Sequence, residues 1–280
     1  NGGALKLAIE SWKKFLTKYP SHPMAADAAH FLGVCHMQSD PPDYAAAGKS
    51  FANALKNKKY DLREESLVNY GWCLYATAGD GQEKDPKRLT ATITSFQALV
   101  KEFPKSQFLD RAFFYSGEAA YGLGQAQKAI DFYNQLLALP DAAKSPLHCD
   151  AMYARGVAFQ ELKLPDQAIA SFKQLLASCS RDELIIDVHL RMGDLLILLG
   201  KYDQAVESFE SVIKANASDD DDRAYALFRQ AYALVQSDQS SKAAETYDQL
   251  RVRFPDSSYA ASAILASAQS SYRGGDMEAA

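Results

Sequence analysis

This 280-residue chain contains side chains able to do covalent or metal chemistry, but their spacing argues against it. Gly48-Lys49-Ser50 has the tail of a phosphate-binding loop, yet the leading glycine of such a loop is replaced by Asp43 and no strand precedes it. Gly122-Leu123-Gly124 lacks the third glycine of a dinucleotide fingerprint and reads as a turn between helices. There is no Gly-x-Ser-x-Gly elbow and no His-Glu-x-x-His pair. His22, His30, His36, His148 and His189 do not fall at metal-ligand spacing with cysteines or carboxylates. The run Asp219–Asp222 lacks the alternating ligands and glycine of a calcium loop; four acids ahead of a helix starting near Arg223 suit that helix's positive end as a cap. With no acid and base that can be paired, the chain is expected not to be an enzyme and to use no cofactor or structural metal.

The elements holding these residues come from a repeat. A small residue precedes an aromatic one by four in seven places: Ala8/Trp12, Ala47/Phe51, Thr92/Phe96, Ala129/Tyr133, Ala168/Phe172, Ala205/Phe209 and Ala243/Tyr247. The last four aromatics stand 37 to 39 residues apart, each about sixteen residues after Gly117, Gly156, Gly193 or Ala231. A fixed period in this range marks helical units that cannot bury their apolar faces alone and must stack. Turn signals at Tyr19-Pro20-Ser21, Asp40-Pro41-Pro42, Gly79-Asp80-Gly81, Phe103-Pro104, Leu139-Pro140, Leu164-Pro165, Gly200 and Phe254-Pro255 then delimit helical hairpins. These are 23–57, 62–103, 107–139, 146–179, 183–215 and 222–254, with an unpaired helix at each end, near 4–18 and 259–272. A glycine inside a helix costs about 1 kcal/mol relative to alanine, so Gly33, Gly71, Gly117, Gly156 and Gly193 imply close helix approach. The alanine of the second helix is expected against that glycine, with the aromatic filling the gap toward the next hairpin. The second unit is longer, and its surplus falls in the polar stretch 79–87.

The predicted fold is all-α: a right-handed superhelical solenoid of antiparallel helix pairs, one continuous array over 1–280 without an internal boundary. Its aliphatic stretches are too short and too often broken by charge to span a bilayer. A net charge of −5 argues against nucleic acid, whose binding needs clustered Lys and Arg. Asn1-Gly2-Gly3 shows neither a starting Met nor a signal peptide, and the end helices lack partners, so the chain is expected to be a fragment of a longer protein. Cys35 and Cys73 each follow a repeat glycine by two and are expected as core or groove-wall thiols, because equivalent helices stand about 8–10 Å apart. Cys149 opens a first helix and Cys179 closes its antiparallel partner, so this pair is a possible disulfide, the alternative being two reduced, partly buried thiols.

The order small residue, alanine, aromatic, proline resembles the tetratricopeptide repeat (TPR) over nearly the whole chain, best in Gly117/Ala129/Tyr133/Pro140, Gly156/Ala168/Phe172 and Gly193/Ala205/Phe209. The chain departs from that pattern at Ala29, Ser116 and Arg155, and its period exceeds the usual ~34. The junctions Phe15 through Tyr19-Pro20-Ser21, Phe96 through Phe103-Pro104-Lys105-Ser106 and Tyr247 through Phe254-Pro255-Asp256-Ser257 are similar to those of bacterial cell-envelope TPR proteins that work in outer-membrane assembly and with the Tol-Pal system. That similarity favours the periplasm or cell envelope over the cytoplasm.

In such arrays the first helices line a concave surface. Carried onto this sequence, the resemblance implies a peptide-binding groove of Phe31, Asn69, Trp72, Tyr75, Phe114, Tyr115, Glu118, Tyr121, Tyr153, Arg191, Arg229 and Tyr232. Aromatic and arginine side chains are the types enriched at binding hot spots. The implied function is a non-catalytic scaffold holding a peptide or partner protein; the alternative is a docking or regulatory region of a longer enzyme or signalling protein. The chaperone-tail clamp of some TPR proteins is not matched, because Val34, Trp72, Glu118, Val157, Asp194 and Tyr232 occupy the place of its asparagine. Arg191 and Arg229 could form a subsite for an anionic peptide. The chain is expected to be a monomer or weak homodimer, without nucleic acid and without direct membrane insertion.

Overall fold

The computed structural model describes residues 2–79 and 84–274. Among the described residues there are fourteen α-helices and no strand. They form two compact units, Asn1–Leu162 and Lys163–Ala280. The first holds α1 (Gly2–Lys18), α2 (Ala25–Met37), α3 (Tyr44–Ala54), α4 (Arg63–Ala76), α5 (Pro86–Glu102), α6 (Leu109–Gly122), α7 (Ala126–Leu137), a 3-10 turn at Ala142–Lys144, and α8 (His148–Glu161). In it each helix packs on the next, while α4 touches α6 and α6 touches α8. The second unit holds α9 (Pro165–Ser178), α10 (Asp182–Leu198), α11 (Tyr202–Lys214), α12 (Asp220–Gln236), α13 (Ser240–Arg253) and α14 (Ala260–Gly274). These also pack in sequence, with α10 touching α12. Within the units the predicted hairpins 23–57, 62–103 and 107–139, and 183–215 and 222–254, are present as packed helix pairs, and among the described residues no helix is long and apolar enough to cross a membrane.

The repeat aromatics do not pack as expected. A Cβ placed on Gly33 would lie 2.8 Å from the ring of Phe51, and one on Gly71 2.7 Å from that of Phe96. Gly117 meets Tyr133 and Gly193 meets Phe209 in the same way. The ring therefore lies on the glycine of its own hairpin, where the expectation had placed it toward the next one. The glycine makes room for a flat aromatic side chain rather than for the alanine alone. Phe51, Phe96, Tyr133 and Phe209 are consequently buried, each contributing about 2–3 kcal/mol of apolar burial.

Local chemistry fixes the helix ends. Pro86 starts α5 behind Asp85, whose carboxylate accepts from the Lys87 and Arg88 amides. Asp219 caps α12 by accepting from the Asp222 amide at 2.8 Å, so the acidic run is a cap, though α12 begins at Asp220 rather than near Arg223. Gly48-Lys49-Ser50 lies inside α3, where the Ser50 hydroxyl donates to the Ala46 carbonyl. Tight turns use a left-handed residue at Gly124, Lys163, Gly200 and Asp238. At the Pro-Ser junctions the aromatic amide closes the helix, with Phe103 donating to Leu99 and Phe254 to Leu250, both at 2.8 Å. The serine then starts the next element: the Ser106 hydroxyl accepts from the Phe108 amide at 3.0 Å. Of the surplus stretch 79–87, residues 80–83 lie outside the described residues.

Candidate binding surface

In the first unit the predicted groove residues other than Phe31 sit on α4, α6 and α8, of which α4 touches α6 and α6 touches α8. Their register is set from behind: Leu67, Phe113 and Met152 face the core, which turns Trp72, Tyr75, Phe114, Tyr115, Tyr121 and Tyr153 into partly exposed positions on the same helices. The rings make a ladder. Trp72 meets Tyr44 edge-on at 6.1 Å and Tyr115 at 4.8 Å; Tyr115 lies 5.2 Å from Tyr75 and 5.3 Å from Phe114; Phe114 lies 6.1 Å from Tyr133. These are offset and edge-to-face contacts that rigidify each ring against its neighbour. Burial pushes the Tyr115 hydroxyl above its ordinary value, with Glu118 adding to that and Arg111 opposing it.

Two cavities open beside the ladder. One of about 320 Å³ is lined mainly by Met37, Val68, Asn69, Trp72, Tyr115 and Leu147, and by Arg111. The other, about 250 Å³, lies among α6, α7 and α8. In it the Tyr133 hydroxyl donates to Glu118 Oε1 at 2.7 Å, and the Tyr75 hydroxyl reaches Oε2 at 3.4 Å. Burial, then the Glu118 charge, drives the Tyr133 hydroxyl strongly upward, so it stays a proton donor. Phe31 stands apart from the ladder: 43% exposed on α2, it stacks on Trp12 of α1 at 5.9 Å.

In the second unit Arg229 and Tyr232 belong to a polar cluster on Asp194, and Arg191 is held in an ion pair with Asp187. Arg229 Nε donates to Asp194 Oδ1 and the Tyr225 hydroxyl to Asp194 Oδ2, each at 2.7 Å, while the guanidinium lies 5.5 Å over the ring of Tyr232. Arg191 Nε donates to Asp187 Oδ2 at 2.7 Å one turn away. Both arginines thus carry a carboxylate partner, which weakens the case for an anionic-peptide subsite. Tyr225, Asp187 and the pairing of Asp194 with Arg229 were missed by sequence reasoning, although Asp187 precedes Arg191 by four on one helix and that pairing is a helix-spacing signal.

The thiols of Cys35 and Cys73 are free. Cys73 is buried beside Ala47 and Phe51, and burial pushes its thiol up to about 12, so it acts as a packing residue rather than a nucleophile. Among the described residues no group of three or more His, Cys, Asp or Glu side chains gathers as for a metal.

Residues 2–135, just under half of the chain, match the YfiO family of outer membrane lipoproteins. Residues 150–179 and 190–258 match two tetratricopeptide repeat family models. No curated protein matches the sequence. Among solved structures, the C-terminal part of a TPR repeat-containing protein from Cytophaga hutchinsonii is similar at 18% identity with a TM-score of 0.66, over 93% of this chain and 95% of that one. A tetratricopeptide repeat protein from Parabacteroides merdae is similar at 17% identity and TM-score 0.52, over 95% and 93%. YrrB, a TPR protein with an unusual peptide-binding site, is similar at 16% identity and TM-score 0.56, over 77% and 98%. At these identities the structures show the fold alone: a TPR-type array of helix pairs.

Proposed function

We propose that this chain is a non-catalytic protein-protein interaction scaffold of the cell envelope, and that the ladder on α4, α6 and α8 holds a segment of a partner protein. The observation that carries the reading is the run of partly exposed, mutually packed rings from Trp72 to Phe114 with a cavity on either side. Rigid aromatic side chains bury much area on binding at small entropic cost. The match of residues 2–135 to outer membrane lipoproteins supports the envelope, as do the Pro-Ser junctions. The Cys149–Cys179 disulfide suggested by the sequence is proposed with it, since envelope compartments are oxidising. Mass spectrometry of the unreduced protein should find that bond, and free thiols at both positions would remove it.

The groove itself is tested by affinity capture from lysate of the source organism, using the chain and a Trp72→Ala/Tyr121→Ala variant whose helicity is verified by circular dichroism. A partner retained by the chain and lost by the variant is expected. Equal capture by both would move binding to another surface.

A further inference from the structure

The cavity among α6, α7 and α8 has a chemistry of one sign. Its walls are the rings of Phe114, Tyr121, Tyr133 and Tyr153, its acids are Glu118 and Asp150, and no basic side chain stands among the described residues that line it. Ring faces carry negative quadrupole density, and so add to a carboxylate in attracting a cation. Glu118 is oriented by the Tyr133 and Tyr75 hydroxyls and, among the described residues, has no Lys or Arg paired with it. A carboxylate has about four acceptor sites; two hydroxyls leave capacity for a charged donor.

We propose that this cavity receives the side chain of a Lys or Arg from the bound partner segment, its charged head against Glu118 and its stem between the rings. The inference rests on the groove reading above and gives that groove a partner chemistry. At about 250 Å³ the space falls below the ~300–1,000 Å³ of pockets that enclose whole small molecules, and suits one long side chain. The adjoining cavity is lined by Trp72, Met37 and Leu147 together with Asn69 and Arg111, and its apolar wall suits a neighbouring hydrophobic residue of the same segment. The rings of Phe114 and Tyr115 pack against each other at 5.3 Å along this surface. A chain with net charge −5 also favours encounter with a basic segment. An acidic segment would meet Glu118 unshielded, and Arg191 and Arg229 already hold Asp187 and Asp194.

The test pans a library of random twelve-residue peptides on the whole chain and measures the strongest synthetic binder by calorimetry. Enrichment of Lys or Arg is expected. Replacing that residue by its uncharged counterpart, citrulline or norleucine, should weaken binding about tenfold or more on the unchanged protein. Glu118→Gln, which keeps an acceptor for the Tyr133 hydroxyl, should cost a similar factor and add little when combined with the neutral peptide. Because that variant could disturb Tyr133, the peptide-side replacement decides. Binders that are lost on Trp72→Ala yet tolerate neutralisation would overturn the cationic pocket while leaving the groove intact. Binders indifferent to Trp72→Ala, or no binders, would overturn both.

Discussion

The glycine that carries an aromatic ring is the smallest unit of this fold. Adding a methyl group at Gly71 places it 2.7 Å from Phe96, a ring held at 1% exposure that has nowhere to move. Gly71→Ala is therefore expected to destabilise by about 1–3 kcal/mol, despite alanine's better helix propensity. Urea unfolding measures it, and Gly71→Ala/Phe96→Leu should recover part of the loss. The periodic glycine and aromatic were legible in sequence, but their partnership within one hairpin was not, because spacing along a chain does not say which side of a helix pair a ring fills. Arg63 illustrates a contact with no local signal at all. Its guanidinium donates to both oxygens of Glu102, 39 residues away, and to the Leu55 and Asn57 carbonyls left open at the end of α3. The hydrogen bond from Arg63 holds the Glu102 carboxyl below its ordinary value. A carboxyl lowered on folding stabilises fully above its unfolded value of about 4.3, and that stability is lost as pH falls through the folded value. Unfolding at pH 7 and at pH 3 should show a smaller pH difference for Arg63→Met than for the unchanged chain.

At the scale of elements, turns recur with the same period as the rings. The left-handed positions Gly124, Lys163, Gly200 and Asp238 follow one another at intervals of 37 to 39 residues, yet only two are glycine. A non-glycine residue there costs roughly 1–2 kcal/mol of backbone strain, offset in part because it loses less conformational entropy on folding than glycine does. Asp238→Gly is thus expected to be neutral to stabilising by up to about 1 kcal/mol, whereas Gly200→Ala should destabilise by about the same amount. Thermal melts of the two variants check the opposite signs. The acidic run offers a second case. Asp219 caps α12, and Asp219→Ala should cost about 1 kcal/mol by denaturant unfolding. Only one of the four acids accepts a capping bond from the helix start; burial first, then Asp219, Asp187 and Asp221, raise the Asp222 carboxyl. The sequence located this cap but could not assign its roles, since crowding between α10 and α12 exists only after packing.

For the whole molecule, the turn signals and the aromatic period bracketed the described helices as hairpins, because proline, glycine and the repeat spacing act locally. Domain organisation is a different matter. Contacts divide the chain into Asn1–Leu162 and Lys163–Ala280, whereas the proposal from the repeat is one array. One cooperative calorimetric transition is expected of a single array with strong nearest-neighbour coupling; two resolved transitions would make the units independent. Cell fractionation probes the envelope reading in turn, and a protein found wholly in the cytosolic fraction would sink it. The sequence by itself determined an all-helical repeat and the positions of its hairpins, because a 3.6-residue period, capping residues and turn breakers are read along the chain. Only the tertiary structure decided how the exposed side chains of each unit are paired. It gathered Trp72, Tyr115 and Phe114 into one ladder, gave Glu118 to two tyrosine hydroxyls, and neutralised Arg229 with Asp194 from another helix. The Glu118 hydrogen bonds and the Trp72–Tyr115 ring contact join residues 15 to 43 positions apart, and those distances are set when helices stack.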